Sequence, residues 1–213
     1  MKNNKWLIMA GVVSSLGFAT AVQATLISGN IGFNGNVNLD TATALTATTV
    51  TGWSDTGGGS GKELVTSGTS TLSGAGGLVP IGTEVSFSSP WTFYPGGSGT
   101  APNPLWTVTV GGVTTSFNLQ SWTATRSFNA GSGTWSDAVG GMGLLSTTAA
   151  GYVATLYNFS VTFQDPASNP GLEQFTFSAS QAPVPAVPDG GMTVMLLGAA
   201  LSGLGLLRKK VIA

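Results

Sequence analysis

The sequence predicts an all-β fold for residues 25–181: an antiparallel β-sandwich, with a jelly-roll connection as the expected topology. Three observations predict it. Apolar and polar residues alternate with period two in several short runs, the pattern of half-buried strands. Gly, Asn and Pro separate those runs as turns. Hydrophobic residues make up 42% of the 213 residues and charged residues only 7%, so a core can form and charge-rich disorder is excluded.

The elements follow in chain order. Ile27, Ile31, Phe33, Val37 and Leu39 share one parity, and Ser28, Asn30, Asn34, Asn36 and Asn38 hold the other. Gly29 and Gly35 interrupt the apolar row and predict bulges or close strand approach. The clearest hairpin is Leu105 to Leu119. Trp106, Val108 and Val110 alternate toward a Gly111-Gly112 turn, and Val113, Thr115, Phe117 and Leu119 alternate back,. Trp122, Ala124, Arg126 and Phe128 are expected on a third strand. Val153 to Phe163 alternates again and ends at an Asp165-Pro166 turn, and Phe175, Phe177 and Ala179 form a closing strand. Asp55–Gly61 and Tyr94–Pro104 read as surface loops. No repeat of 20–50 residues is evident, so a solenoid or propeller is not supported.

Both ends read as addresses. Lys2 and Lys5 precede an apolar stretch from Trp6 to Phe18 and small residues through Ala24. Residues 1–24 therefore read as a secretory signal peptide. Ala19-Thr20-Ala21 and Val22-Gln23-Ala24 both offer cleavage sites, and cleavage after Ala24 is favoured because strand-like alternation starts directly afterwards. An uncleaved anchor is the competing reading, but the apolar run is short for one.

The C-terminal end has three parts. Residues 182–191 form a proline-rich spacer, in which Pro183, Pro185 and Pro188 favour an extended arm. Met192 to Leu207 carries no charge and reads as a transmembrane helix. At about 1.5 Å per residue it reaches roughly 24 Å, short of a ~30 Å hydrocarbon core unless the bilayer thins locally. Arg208, Lys209 and Lys210 form a basic stop that stays cytoplasmic. A plain tail anchor competes with this reading.

The order Val187-Pro188-Asp189-Gly190-Gly191, short apolar helix and basic tail resembles the PEP-CTERM family of sorting signals in its VPDGG-type variant. The resemblance covers about 25 residues. It implies recognition by an exosortase, an integral membrane cysteine transpeptidase of Gram-negative bacteria, in hosts that make exopolysaccharide. Pro-Asp-Gly-Gly stands where Pro-Glu-Pro is usual, which leaves the enzyme subclass open. The family's ectodomains are diverse, so the resemblance implies nothing about the β-domain.

The side-chain inventory excludes much chemistry. The chain has no His and no Cys, which removes Ser-His-Asp and Cys-His nucleophile systems, the usual zinc sites and disulfides. No cofactor or metal is expected. Five of the seven basic residues lie at the chain ends and all eight acids lie between them. Two cations against eight acids leave the middle at about −6, which is no footprint for nucleic acid. Asp55-Thr56-Gly57 matches one half of an aspartic-protease pair, but no second copy exists. Glu63, Glu84, Asp137 and Glu173 are the candidates for a sugar-hydrolysing carboxylate pair, and surface acids that aid solubility are the blander reading. Asp165 and Asn169 could frame a calcium-binding turn, but no D-x-[DN]-x-[DN]-G loop exists and an Asx-type turn is the favoured reading.

Aromatic residues carry the remaining signal. Trp106 and Trp122 lie on apolar strand faces and are expected in the core. Trp91, in Ser89-Pro90-Trp91-Thr92-Phe93, is the candidate surface contact for a glycan. The expected function is a non-catalytic exported surface or extracellular-matrix protein. Its expected partners are signal peptidase and the secretion machinery, an exosortase, the membrane through the C-terminal helix, and exopolysaccharide. The alternative is a carbohydrate-binding module that uses surface aromatics.

Overall fold

The computed structural model describes residues 24–54, 62–95, 101–164, 173–183, 197–198 and 201. The chain divides into two units, Met1–Gln181 and Ala182–Ala213. Residues 1–23 of the signal peptide, the Val187–Gly191 motif and the Arg208–Lys210 stop lie outside the described residues, as do Asp55–Gly61, Asp165 and Asn169. Of the second unit's apolar run, Leu197, Gly198 and Leu201 are described, and they are helical.

The first unit is all-β, as its alternation predicts. Its strands are β1 (Thr25–Leu26), β2 (Asn30–Leu39), β3 (Thr49–Ser54), β4 (Lys62–Gly68), β5 (Glu84–Phe87), β6 (Trp91–Thr92) and β7 (Trp106–Val110), followed by β8 (Val113–Asn129), β9 (Thr134–Thr147), β10 (Tyr152–Val153), β11 (Thr155–Gln164) and β12 (Glu173–Gln181). One helical turn, α1 (Ser70–Ser73), follows β4. The short strand β1 pairs in parallel with β10.

The expected sandwich is corrected to a closed barrel. Eight antiparallel strands run in the order β2-β4-β5-β7-β8-β9-β11-β12, and β12 pairs back onto β2. That seam is continuous, from Glu173 opposite Val37 to Ser180 opposite Asn30. Each barrel strand neighbours the next barrel strand in sequence, so the connection is an up-and-down meander and not a jelly roll,. The other edge of β2 is divided: Ile31–Phe33 pair with β4, and Asn36–Leu39 pair with β3. Strand β3 in turn carries β6.

The barrel interior is filled with apolar and aromatic side chains. Val139, Val161, Phe177, Phe33 and Val65 face one another in register across five strands. Phe177 sits against Phe33, Phe87, Phe117 and Phe159 at ring-centroid distances of 5.4–6.2 Å. Trp53, Trp91, Trp122 and Phe163 continue the cluster. Each fully buried ring contributes about 1.5–3 kcal/mol, which lets a chain without disulfides hold its fold. The polar ends of the buried aromatics are also satisfied in three places. Trp53 Nε1 donates to Ser88 O at 2.9 Å, Trp122 Nε1 to Phe93 O at 3.1 Å, and the Tyr157 hydroxyl to Ile27 O at 3.0 Å.

The hairpin at Gly111-Gly112 forms as its spacing predicts, with φ of +57° and +81°. Both central residues are left-handed, the requirement of a type I′ turn. Two local expectations change. Trp122 to Phe128 is no third strand but the continuation of β8, which is 17 residues long. The register slips between Leu119 and Ser121, and this bulge moves the inward parity from Phe117 to Trp122. Second, β9 has no counterpart in the sequence reading, because Gly140, Gly141 and Gly143 dilute its apolar row. Packing explains two of those glycines. A Cβ at Gly143 would enter the Phe117 ring, and one at Gly141 would strike the Ser121 carbonyl.

Candidate functional site

The structure moves Trp91 from the expected surface into the core. It is fully buried, nearly parallel to Trp53 at 6.4 Å and edge-on to Trp122 at 6.2 Å. The cause is β6, which pins Val50 of β3 opposite Trp91 and so carries the ring inside. No face of Trp91 is open to a glycan in this fold. Trp106 and Trp122 are buried as expected.

The carboxylates also change place. Of the four acids considered for sugar hydrolysis, Glu84 is exposed, whereas Glu63, Asp137 and Glu173 are buried. They are not surface acids. Asp137 lies on the inward face of β9 and accepts from Arg126 at both oxygens, from Nε at 2.7 Å and Nη2 at 3.2 Å. The same guanidinium donates to Leu45 O, and to Ala47 O at 2.5 Å, while its Cζ lies 4.5 Å from the Tyr94 ring centre. Arg126 thus ties the long β8–β9 arm to the segment before β3, a structural task. Glu63 lies against Gly35, the close approach that the glycine in β2 announces. Among the described residues, no group of His, Cys, Asp and Glu could hold a metal ion.

Beyond the ion pair, the β8–β9 arm carries a second aromatic feature. Phe128 and Trp135 are cross-strand partners with ring centroids 4.9 Å apart, and Phe128 is 51% exposed. They share the inward parity of Arg126 and Asp137 but lie one step closer to the 129–134 turn.

The outer skin of the barrel is the most distinctive feature. Outward positions on β2, β12, β11, β9 and β8 carry Asn, Gln, Ser, Thr and small or apolar residues, and no charge. Membrane barrels show the reverse arrangement, with an apolar band outside. Three adjoining concavities cross the β4–β2–β12–β11 face, of about 310, 340 and 130 Å³. The first two share Ser67 and Ser178, and the last two share Asn34 and Thr176. They therefore form one trough along the outer face of β12. Its floor is low because Gly32, Ser178 and Ser160 are small, and Asn158, Gln164 and Gln174 stand beside them.

Sequence reasoning missed this site. Its residues were visible as the polar half of each alternation, read only as the solvent side. Asn158 and Ser160 of β11 both lie on the outer, exposed face. Among the described residues, no helix is long and apolar enough to cross a membrane. Comparison with protein-family models, with curated proteins and with solved structures finds no match.

Proposed function

We propose that the chain is an exported, non-catalytic surface or extracellular-matrix protein of a Gram-negative bacterium, sorted and C-terminally processed by an exosortase and associated with exopolysaccharide. Two addresses support the export and sorting: the signal-like residues 1–24, and the Val187–Gly191 motif followed by an apolar run and Arg208–Lys210. The observation that carries the role of the β-domain is its skin. An aromatic-filled barrel presents mostly short hydroxyl and amide side chains, uncharged over five adjoining strands. Such groups exchange hydrogen bonds with water and with sugar hydroxyls on similar terms, which suits a domain embedded in a hydrated polysaccharide.

The processing step is read by mass spectrometry of mature protein from its native host, after an exosortase has been identified there. Met192–Ala213 is absent in the expected result, with the chain ending near Pro188 to Gly191. Intact peptides containing Arg208 in the bulk of the protein would reduce the tail to a plain anchor.

A second reading, a carbohydrate-binding module, draws on the pair formed by exposed Phe128 and half-buried Trp135. Aromatic faces stack on sugar rings, and this pair takes the place that Trp91 held in the sequence reading. A glycan array separates the two: saturable binding of one defined glycan, lost in Phe128→Ala and Trp135→Ala, marks a module.

A further inference from the structure

We propose that the trough along the outer face of β12 is a binding site for an extended, uncharged polysaccharide chain. This rests on the polysaccharide-associated reading above and gives it a place and a ligand class. Three properties of the trough point there together.

The first is shape. At about 3.3 Å per residue, the six steps from Gln174 to Ser180 make a groove about 20 Å long. A groove that runs the length of a strand suits a chain better than a compact small molecule. The second is charge. Among the described residues the lining carries none. A polyanion finds no Lys or Arg there, and the net negative balance of the domain repels it.

The third property is unspent hydrogen-bonding capacity. Among the described residues, the side chains of Asn34, Asn158, Ser160, Thr162, Gln174 and Ser178 make no hydrogen bond. They stand in register: Asn158 opposite Ser180, Ser160 opposite Ser178, Thr162 opposite Thr176 and Gln164 opposite Gln174. An amide offers a donor and an acceptor side by side, and a hydroxyl offers both on one atom. Adjacent hydroxyls on a sugar ring present the complementary pair.

A peptide fits less well. The strands under the trough are paired on both sides by the closed barrel, so no edge is free to add a strand,. The side chains that stand out into the trough are polar, and its apolar lining residues Ile31, Phe159, Phe177 and Ala179 are buried in the core beneath it, which gives an apolar anchor little to hold.

The test uses the purified full chain in detergent micelles, with a soluble β-glucan and dextran as neutral probes and alginate as the anionic one. Binding is followed by affinity electrophoresis and calorimetry. The wild type binds a neutral probe and not alginate. A Ser160→Gln/Ser178→Gln variant fills the floor without adding charge. Losing about two hydrogen bonds weakens binding roughly tenfold or more. An Asn158→Ala/Gln174→Ala variant removes amides without bulk and weakens binding in the same direction. Ser127→Gln, on the opposite outer face, leaves it unchanged.

Three results would overturn the proposal. If binding survives both trough variants but is lost in Phe128→Ala/Trp135→Ala, the trough falls and polysaccharide association stands at the hairpin. Tighter binding of alginate than of the neutral probes would likewise remove the trough alone. If the wild type binds none of the three, the association itself falls with it.

Discussion

The two outer faces of the barrel are built from the same residue types and use them differently. On the β7–β8–β9 side the hydroxyls are spent within the protein. Thr109 pairs with Thr114, Ser116 with Ser146 and Ser127 with Ser136, each at 2.9 Å. Thr123 and Thr125 donate to the carbonyls of Gly140 and Ala138, both at 3.4 Å. On the β2–β12–β11 side, Ser160 and Ser178 or Thr162 and Thr176 stand equally opposite one another, yet their hydroxyls stay open. Composition therefore does not define a recognition surface; what matters is which polar groups the protein has already paired. A zipped face stiffens two strands, and an open face keeps its donors and acceptors for solvent or a ligand.

The largest effects break the core under both faces. Val108→Asp places a charge inside the barrel beneath the zipped side and should abolish the cooperative thermal transition, because an unpaired buried charge costs several kcal/mol. Phe177→Ala, beneath the open side, removes a ring that touches four others and should cost about 3–5 kcal/mol. Circular dichroism melts check both. Equal stability in either variant would mean that the barrel interior is not the source of the fold's stability.

Next in size is the ion pair at the root of the β8–β9 arm. Arg126→Met leaves the Asp137 carboxylate buried without its guanidinium, at a cost of about 3 kcal/mol by denaturant titration. Arg126→Met/Asp137→Leu should recover most of that, because two apolar groups need no pairing. Failure of the double variant to recover would assign the loss to Arg126's hold on Leu45 and Ala47, not to the buried carboxylate.

A smaller pair of variants sharpens the comparison directly. Ser127→Ala breaks a hydroxyl pair on the zipped face and should cost about 0.5–1 kcal/mol. Ser178→Ala, with no internal bond to lose, should leave stability unchanged. Equal costs would erase the distinction between the faces.

The smallest effect concerns pH. Burial pushes the Asp40 carboxyl up, but hydrogen bonds from the Thr48 hydroxyl and the Thr48 and Thr49 N–H groups outweigh it and hold the carboxyl below its usual range. A folded-state value below the unfolded one stabilises the fold above about pH 4, and that share is lost as pH falls through the folded value. Asp40→Asn should therefore lower stability at neutral pH, where that share is present, leave it little changed at pH below the folded value, and so flatten the acid side of the stability curve. An identical acid limb in wild type and variant would count against these bonds.

The sequence by itself determined the strands that alternate cleanly and the hairpin at Gly111-Gly112. Period two and a two-glycine turn are local properties, legible without knowing any partner. It also determined the polar outer parity of β2, and the alternation of β11 and β12 that leaves their polar residues outward, and so contained most of the trough, though not Thr66 and Ser67 of β4. Only the tertiary structure decided what those residues became. A barrel and a sandwich require the same alternation, and they differ in whether the first long strand meets the last, a contact between residues more than a hundred positions apart. Strand β9 stayed hidden because its glycines make sense only against Phe117 and the Ser121 backbone. Trp91 looked like a surface aromatic beside Pro90 until its pairing with β3 turned the ring inward. The open and zipped faces could not be told apart either, because a hydroxyl's partner lies across the sheet, and register belongs to the fold.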